Sequence, residues 1–532
     1  MKRAWQACAL IGGLMVSMAL HPEALAQKTG GVLKVTHRDS PASMSIHEEG
    51  TYSVIAPMMG VFNNLVLYDQ HVPQNSLATI QPELATEWAW DEDGTSLTLK
   101  LRQGVKWHDG KPFTAADVKC TWDMLAGRGK DRLRTNFRAA WYENLAEVTT
   151  NGDDEAIFRL KQRQPAFIAL LASGYSPVYP CHVSTKDMRL FPIGTGPFKF
   201  VEYKPNQGIK VARNPDYWRK GRPYLDGVEW TIIPNRSTSI LGFVAGQFDM
   251  TFPYDITVPL LKDIRSQAPK AVCEMRPVNV RTTLLPNHRA PPFDKVEVRR
   301  ALALALDRQA FITIISEGQG DMGGVMLPPP EGAWGMATEQ LRTLPGYGAD
   351  LAKNRAVARE IMKTLGYGPD KPLKVMLSAR NLPSYRDPAA ILLDQLKQIW
   401  IEAELEPIET ANWGAKLRRF DFTIALALSG SAVDDPDPQY IENYICGTQR
   451  NYPGFCDPEM DRLIKEQSML ADPAARKEIV WRIERILADN AVRPVIYYNR
   501  AGTCWHPAVK GLTVMANSPY NGWRMEDVWL DR

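Results

Sequence analysis

The chain is 532 residues long, 45% of its residues are hydrophobic, and its formal net charge at pH 7 is +3. This near-neutral charge, with no block of basic residues, argues against a nucleic-acid partner. The length exceeds what one hydrophobic core ordinarily supports, so two or three domains are predicted.

The N-terminus has the three parts of a secretory signal peptide. Residues 1–3 (Met-Lys-Arg) include two basic residues, residues 9–20 are apolar, and residues 24–26 (Ala-Leu-Ala) suit a cleavage site. The apolar stretch is too short to cross a bilayer, which needs roughly 20 residues. We therefore predict a signal peptide over residues 1–26 and a free, soluble protein in the periplasm.

The cysteines after the predicted cleavage site would lie in an oxidising compartment, where disulfides form. No CxxC pair occurs among them and the histidines are scattered, so a structural zinc site is not expected. Cys446 and Cys456 flank a short loop, CGTQRNYPGFC, and we predict that these two are bonded. The sequence leaves open how the others pair: Cys120, Cys181, Cys273 and Cys504.

Local patterns predict individual strands and helices. The alternation of SLTLKLR (96–102) predicts a half-buried strand with its leucines on one face. Thr114 with Asp117 three residues later predicts a helix start with a capping box. Similar start signals precede three later helices, with the predicted N-caps Asp294, Asp457 and Asp472.

Residues 373–428 alternate strand-like apolar runs with helical patterns and predict a β-α-β-α-β unit. Such a unit implies parallel strands with helices on the faces of the sheet. Ligands of open parallel sheets bind outside the carboxyl ends of the strands. Arg380, Trp413 and Asp434 follow the three predicted strands, so we expect Asp434 to present its carboxylate to a ligand.

The segment SAVDDPDPQY (431–440) holds three aspartates and two prolines. Three interpretations compete: a solvated turn, a carboxylate pair for acid/base chemistry, and an anchor for a cationic group. Asp435 and Asp437 alternate with prolines, which favours turn and capping roles for these two. A secreted hydrolase is not expected, because GxSxG, HExxH and Cys/His arrangements are missing from the sequence.

Four longer stretches carry a further signal: QPELATEWAWDEDGTSLTLKLRQGVKWHDGKPFTAADV, PIGTGPFKFVEYKPNQGIKVARNPDYWRKGRPYLDGV, PPFDKVEVRRALALALDRQAFI and NYPGFCDPEMDRLI. They resemble the periplasmic solute-binding proteins of ABC transporters, of the peptide- and nickel-binding type (family 5). The resemblance implies an α/β, two-lobed periplasmic-binding-protein fold (type II, cluster C-like) with an extra subdomain in lobe I. In that family the two lobes close around the ligand by a hinge motion.

Carried over to this chain, the resemblance implies two lobes and a satellite subdomain. Lobe I would comprise residues 27–62, 190–288 and 498–532, with the satellite subdomain at residues 63–189. Lobe II would comprise residues 289–497. The β-α-β-α-β unit, which was derived from the sequence pattern alone, falls within lobe II.

The resemblance also implies site residues. In the peptide-binding members an aspartate in a D-x-x-x-P loop receives the ligand's α-ammonium group, and in the dipeptide binders an arginine after the first strand of the same sheet receives its carboxylate. These roles fall to Asp434 and Arg380, with Trp413 and Met44 as apolar walls. The segments SGSAV, before Asp434, and SPASMSIHEEG, the N-terminal ligand loop, depart from the family's pattern.

The implied function is capture of a small peptide, such as a di- or oligopeptide, or of a similar zwitterion. The protein would act as a monomer, without cofactor or metal, and would deliver the solute to the permease subunits of an ABC importer. The same fold also accommodates other solutes, so a metal chelate, an opine-like conjugate and an oligosaccharide remain alternatives.

Overall fold

The structure is a computed structural model that describes residues 27–532. The predicted signal peptide, residues 1–26, lies outside the described residues. Within the described chain, no helix combines the length and the apolar character needed to cross a membrane.

The described residues form both strands and helices. The strands are β1 (Val32–His37), β2 (Val66–Tyr68), β3 (Ile80–Pro82), β4 (Ala85–Trp90), β5 (Ser96–Leu101), β6 (Leu145–Asn151), β7 (Glu155–Leu160), β8 (Phe198–Lys204), β9 (Gly208–Arg213), β10 (Gly227–Ile232), β11 (Val272–Pro286), β12 (Leu373–Arg380), β13 (Ile401–Ile408), β14 (Ile424–Gly430), β15 (Val495–Trp505), β16 (Val509–Lys510) and β17 (Trp529–Leu530). The helices are α1 (Tyr52–Met58), α2 (Ala115–Leu125), α3 (Phe167–Ala172), α4 (Thr185–Leu190), α5 (Arg236–Val244), α6 (Val258–Gln267), α7 (Val296–Ala305), α8 (Arg308–Ser316), α9 (Thr338–Leu341), α10 (Leu351–Thr364), α11 (Pro383–Lys397), α12 (Thr410–Arg418), α13 (Pro436–Tyr444), α14 (Pro458–Met469) and α15 (Pro473–Asp489).

The residues predicted to form lobe I contain a four-stranded sheet in the order β1-β10-β9-β8. Within it, β1 pairs with β10 in parallel, and the remaining pairs are antiparallel. The satellite subdomain carries an antiparallel sheet in the order β4-β5-β7-β6. One continuous hydrophobic core joins the two, from Leu33 and Val35 of β1 to Leu97 and Leu99 of β5. The predicted alternation of β5 is confirmed, because its leucines are buried.

Strands β12, β13 and β14 of the predicted lobe II form a five-stranded sheet with β11 and β15, in the order β13-β12-β14-β11-β15. The predicted bounds assign β11 to lobe I, whereas its residues 280–286 pair with β14 in this sheet. The predicted β-α-β-α-β unit is confirmed: β12 pairs in parallel with β13 and β14, and α11 and α12 connect these strands. The antiparallel pair β11 and β15 extends beyond this sheet to lobe I, where Met250 forms a bridge to Trp505. The register of this pair shifts between Pro277 and Arg281.

The helices begin at the predicted capping signals, with one exception. The capping box predicted for α2 is present. Asp457 and Asp472 accept hydrogen bonds from backbone N–H groups at the starts of α14 and α15. The exception is α7, whose N-cap is Lys295 and not Asp294. The carboxylate of Asp294 accepts a hydrogen bond from the Lys295 N–H and therefore lies one residue too early to cap the helix.

The cysteines of the described chain are bonded in pairs: Cys120–Cys181, Cys273–Cys504 and Cys446–Cys456. The predicted bond between Cys446 and Cys456 is confirmed, and the structure supplies the two pairings that the sequence left open. The second of the three joins β11 to β15, so it ties together the two strands along which the chain passes between the lobes.

Candidate functional site

A cavity of ≈ 510 Å³ lies between the lobes. Lobe I lines it with residues 48–51 of the loop that follows β1 and with Tyr52 of α1, and lobe II lines it with α12 and the end of β12. The satellite subdomain contributes residues 134, 135 and 137, which sequence reasoning did not predict. Pockets of roughly 300 to 1,000 Å³ are typical of sites for small organic ligands.

The charge of the cavity wall is uneven. Seven arginines line it against four carboxylic acids: Arg38, Arg134, Arg236, Arg380, Arg418, Arg450 and Arg493, and Glu48, Glu49, Asp255 and Asp387. Guanidinium groups stay charged in proteins. The wall therefore has an excess of positive charge, although the whole chain is nearly neutral.

Arg380 lies in the cavity wall at the end of β12, but its donors are already in use. Its Nη2 donates to Asp39 Oδ2 at 2.5 Å and to Thr410 Oγ1 at 3.0 Å, and its Nη1 donates to the Tyr385 hydroxyl at 3.3 Å. Burial alone would raise the pKa of the Asp39 carboxyl, but Arg380 and Arg38 outweigh it and hold that pKa well below its usual value. A ligand carboxylate would have to compete with Asp39 for Arg380.

Neither Asp434 nor Met44 is among the described residues that line the cavity. Asp434 Oδ2 accepts a hydrogen bond from the Ala333 N–H at 3.0 Å, and its backbone oxygen accepts one from the Trp334 indole. Met44 is fully buried in the core of lobe I. Asp434 follows β14, as predicted, but α13 begins two residues later, and the Asp434 carboxylate contacts the Ala333 N–H instead of the cavity.

Asp435 has the capping role that was predicted for it, whereas Asp437 lies within α13 and uses its carboxylate for side-chain contacts instead of a turn or a cap. Asp435 caps α13 and accepts a hydrogen bond from the Asp437 N–H. Both carboxylates pair with Arg476, at 2.7 and 2.9 Å. Gln164 of the satellite subdomain donates to Asp437 at 2.9 Å, so this acidic cluster also joins lobe II to the satellite.

Glu49 is a cavity carboxylate that sequence reasoning missed. Its neighbour Glu48 is occupied, because it accepts hydrogen bonds from Arg189 at 2.7 Å and from the Arg134 N–H at 2.6 Å. The Glu49 carboxylate makes no hydrogen bond or ion pair with any residue in 27–532. Burial raises the pKa of Glu49 to about 7, although Arg134 and Arg380 oppose the shift. A buried carboxylate without a partner favours a bound cation.

Aromatic side chains complete the cavity wall. Trp413 lies in α12, faces the cavity and packs edge-on against Tyr385 with ring centroids 6.0 Å apart. Phe137 reaches in from the satellite subdomain, and its ring lies 5.1 Å from the guanidinium of Arg418 and 5.9 Å from that of Arg450. Trp413 therefore lies in the cavity wall, as its position after a predicted strand suggested. Phe137 is distant in sequence and reaches the cavity only through tertiary packing.

Sequence comparisons link this chain to known proteins. The profile of the bacterial extracellular solute-binding proteins, family 5 (middle), matches residues 79–451, which is more than half of the chain. Heme-binding protein A of Haemophilus influenzae is 26% identical over 491 residues, covering 87% of this chain and 86% of its own. Di/tripeptide-binding protein 1 of Pseudomonas aeruginosa is 26% identical over 497 residues, covering 86% of this chain and 87% of its own.

A solved structure shares the fold. The oligopeptide-binding protein AppA of Bacillus subtilis, in complex with a nonapeptide, is 23% identical and has a TM-score of 0.82, covering 95% of this chain and 100% of that one. The matched family consists of binding proteins and not of enzymes. The chain therefore belongs to the family 5 bacterial extracellular solute-binding proteins.

Proposed function

We propose that this solute-binding protein of an ABC importer is secreted by its signal peptide and holds a small zwitterion, such as a short peptide, between its lobes. The observation that carries the proposal is the cavity itself, which offers an unpaired carboxylate at Glu49 and an excess of arginines. Relatives named for heme and for di- and tripeptides support a small organic solute without agreeing on which one.

In this proposal Glu49 receives the ammonium group of the solute. A charged amine that leaves water loses its hydration, and a desolvated counter-charge held by the fold replaces part of it. Glu49 is 8% exposed and its carboxylate is free of partners in the described chain. Asp434 was expected in this role, but Glu49 lines the cavity and Asp434 does not, which supports assigning the role to Glu49.

Closure of the lobes completes the proposed mechanism. The chain passes between the lobes along β11 and β15, and the register shift between Pro277 and Arg281 is the proposed hinge. The ion pair of Asp39 and Arg380 joins residues from the two lobes, so it would form when the lobes close. A solute between the lobes then stabilises the closed form, which is the form presented to the permease.

Mass spectrometry of the solute released from purified mature protein tests the proposal. We expect a small molecule that carries both an amine and a carboxylate. By calorimetry Glu49→Gln should bind it at least tenfold more weakly, because truncating one partner of a buried charge pair costs about 2 to 5 kcal/mol. The matched control is Glu92→Gln, at an exposed turn of the satellite subdomain.

Two results would contradict this account. Equal affinity of Glu49→Gln and wild type would refute the amine anchor. A released sugar without an amine would favour the oligosaccharide alternative over the zwitterion.

A further inference from the structure

We infer that the solute carries at least two acidic groups, because Arg418 and Arg493 line the cavity without an ion pair to any carboxylate of residues 27–532. The inference rests on the proposed function and specifies its solute class. That class is a short peptide or amino-acid conjugate with one amine and two or more carboxylates.

Arg493 is buried and only partly bonded. It is 5% exposed, and its Nη1 donates to Asn443 Oδ1 at 2.9 Å. Its Nε is buried and has no hydrogen-bond partner in the described chain. Burial lowers the pKa of Arg493 to about 10, with Tyr444 opposing this shift and Arg281 adding to it. A guanidinium in this position gains from an anion that reaches it through the cavity.

Arg418 lies at the end of α12, beside Phe137. Its Nη1 is buried and has no hydrogen-bond partner among the described residues. Arg450 lies near the same ring but is paired with Glu442 at 2.6 Å. Glu442 is shared with Arg138 at 3.2 Å, so this carboxylate already serves two guanidinium groups and does not pair with Arg418.

Charge balance then determines the solute class. Desolvated guanidinium groups without counter-ions are costly, and a carboxylate matches their planar fork with paired hydrogen bonds. A neutral zwitterion would bring one carboxylate, which Glu49 repels and the arginines attract, so one of the two guanidinium groups would still lack a counter-charge. Two unpaired arginines beside one unpaired carboxylate therefore favour a solute with more acidic than basic groups.

The test uses Ala-Glu and Ala-Gln, two dipeptides of nearly equal size that differ by one negative charge. By calorimetry at pH 7.5 we expect Ala-Glu to bind the mature protein at least tenfold more tightly than Ala-Gln. Arg418→Gln should reduce this preference at least fivefold. The matched control is Arg419→Gln, since Arg419 is the next residue and its side chain is 66% exposed; it should keep the preference.

Each outcome decides the inference. If Ala-Gln binds as tightly as Ala-Glu, the charge inference is overturned while the inter-lobe site of the proposed function stands. If neither dipeptide binds, the inference is overturned together with the proposal that short peptides are the solutes. If Arg418→Gln does not fold by circular dichroism, the preference of the wild-type protein decides alone.

Discussion

Neutralising Glu49 is expected to stabilise the solute-free protein in a pH-dependent way. The pKa of Glu49 is raised by burial from its ordinary value of 4.5 to about 7 in the folded chain. The folded state therefore binds the proton more tightly than the unfolded state between these values. Ionisation of Glu49 therefore lowers the free energy of unfolding as the pH rises through this range, and the full loss of stability is reached above pH 7.

The magnitude follows from the difference of about 2.5 between the two pKa values, which corresponds to about 3 kcal/mol at ~1.4 kcal/mol per pKa unit. An unfolding entropy of ~2.1 cal/mol/K per residue over roughly 500 residues gives about 1 kcal/mol/K. Glu49→Gln should therefore raise Tm by about 3 °C at pH 8 and leave it unchanged at pH 4.

Differential scanning calorimetry of solute-free protein at pH 4, 6 and 8 measures this effect. Wild type and Glu49→Gln are compared with Glu92→Gln, whose side chain is exposed. Arg134, Arg380, Glu48 and Arg418 surround Glu49 electrostatically, and all of them are unchanged in the variant. A Tm of Glu49→Gln that falls at pH 8, or that differs from wild type equally at all three pH values, would show that ionised Glu49 does not destabilise the folded protein.

Three further perturbations have defined outcomes. Asp39→Asn leaves Arg380 buried without its counter-charge, which costs about 3 to 5 kcal/mol. Calorimetry should therefore show a lower Tm, and small-angle scattering should show a larger radius of gyration with solute bound. An unchanged radius would contradict the role of this pair in closure. Asp434→Asn should keep solute affinity within twofold by calorimetry, because Asp434 is not in the cavity wall, and a tenfold loss would return it to the site. Replacing Cys446 and Cys456 by serine should lower the free energy of unfolding by about 2 to 3 kcal/mol in urea titrations; full stability of that variant would contradict the structural role of the bond.

The sequence predicted those features that depend on neighbouring residues. The β-α-β-α-β unit of lobe II, the buried face of β5 and the N-caps Asp457 and Asp472 all follow from patterns within a few residues. The short loop between Cys446 and Cys456 also made their bond predictable. The N-cap of α7 was misplaced by one residue, because the tight turn before the helix takes up Asp294.

The cavity wall could not be predicted in the same way. Glu49, Phe137 and Arg418 come from lobe I, the satellite subdomain and lobe II, and only tertiary packing brings them to one cavity. The predicted strand ends singled out Arg380 and Asp434 as candidate site residues. They did not predict the partners of these side chains, which are Asp39 and Ala333. The two glutamates in SPASMSIHEEG are a sequence signal for a carboxylate in this loop. The sequence alone does not distinguish Glu49, whose carboxylate is free, from Glu48, whose carboxylate is paired.

A crystal structure of the mature protein with its co-purified solute bound would show whether Glu49 and Arg418 contact that solute. We predict density for one small molecule between the lobes, with its amine within 3.2 Å of the Glu49 carboxylate, as a hydrogen bond requires, and an acidic group at hydrogen-bond distance from Arg418. Density for the solute outside this cavity, or inside it with Glu49 still unpaired, would contradict the account.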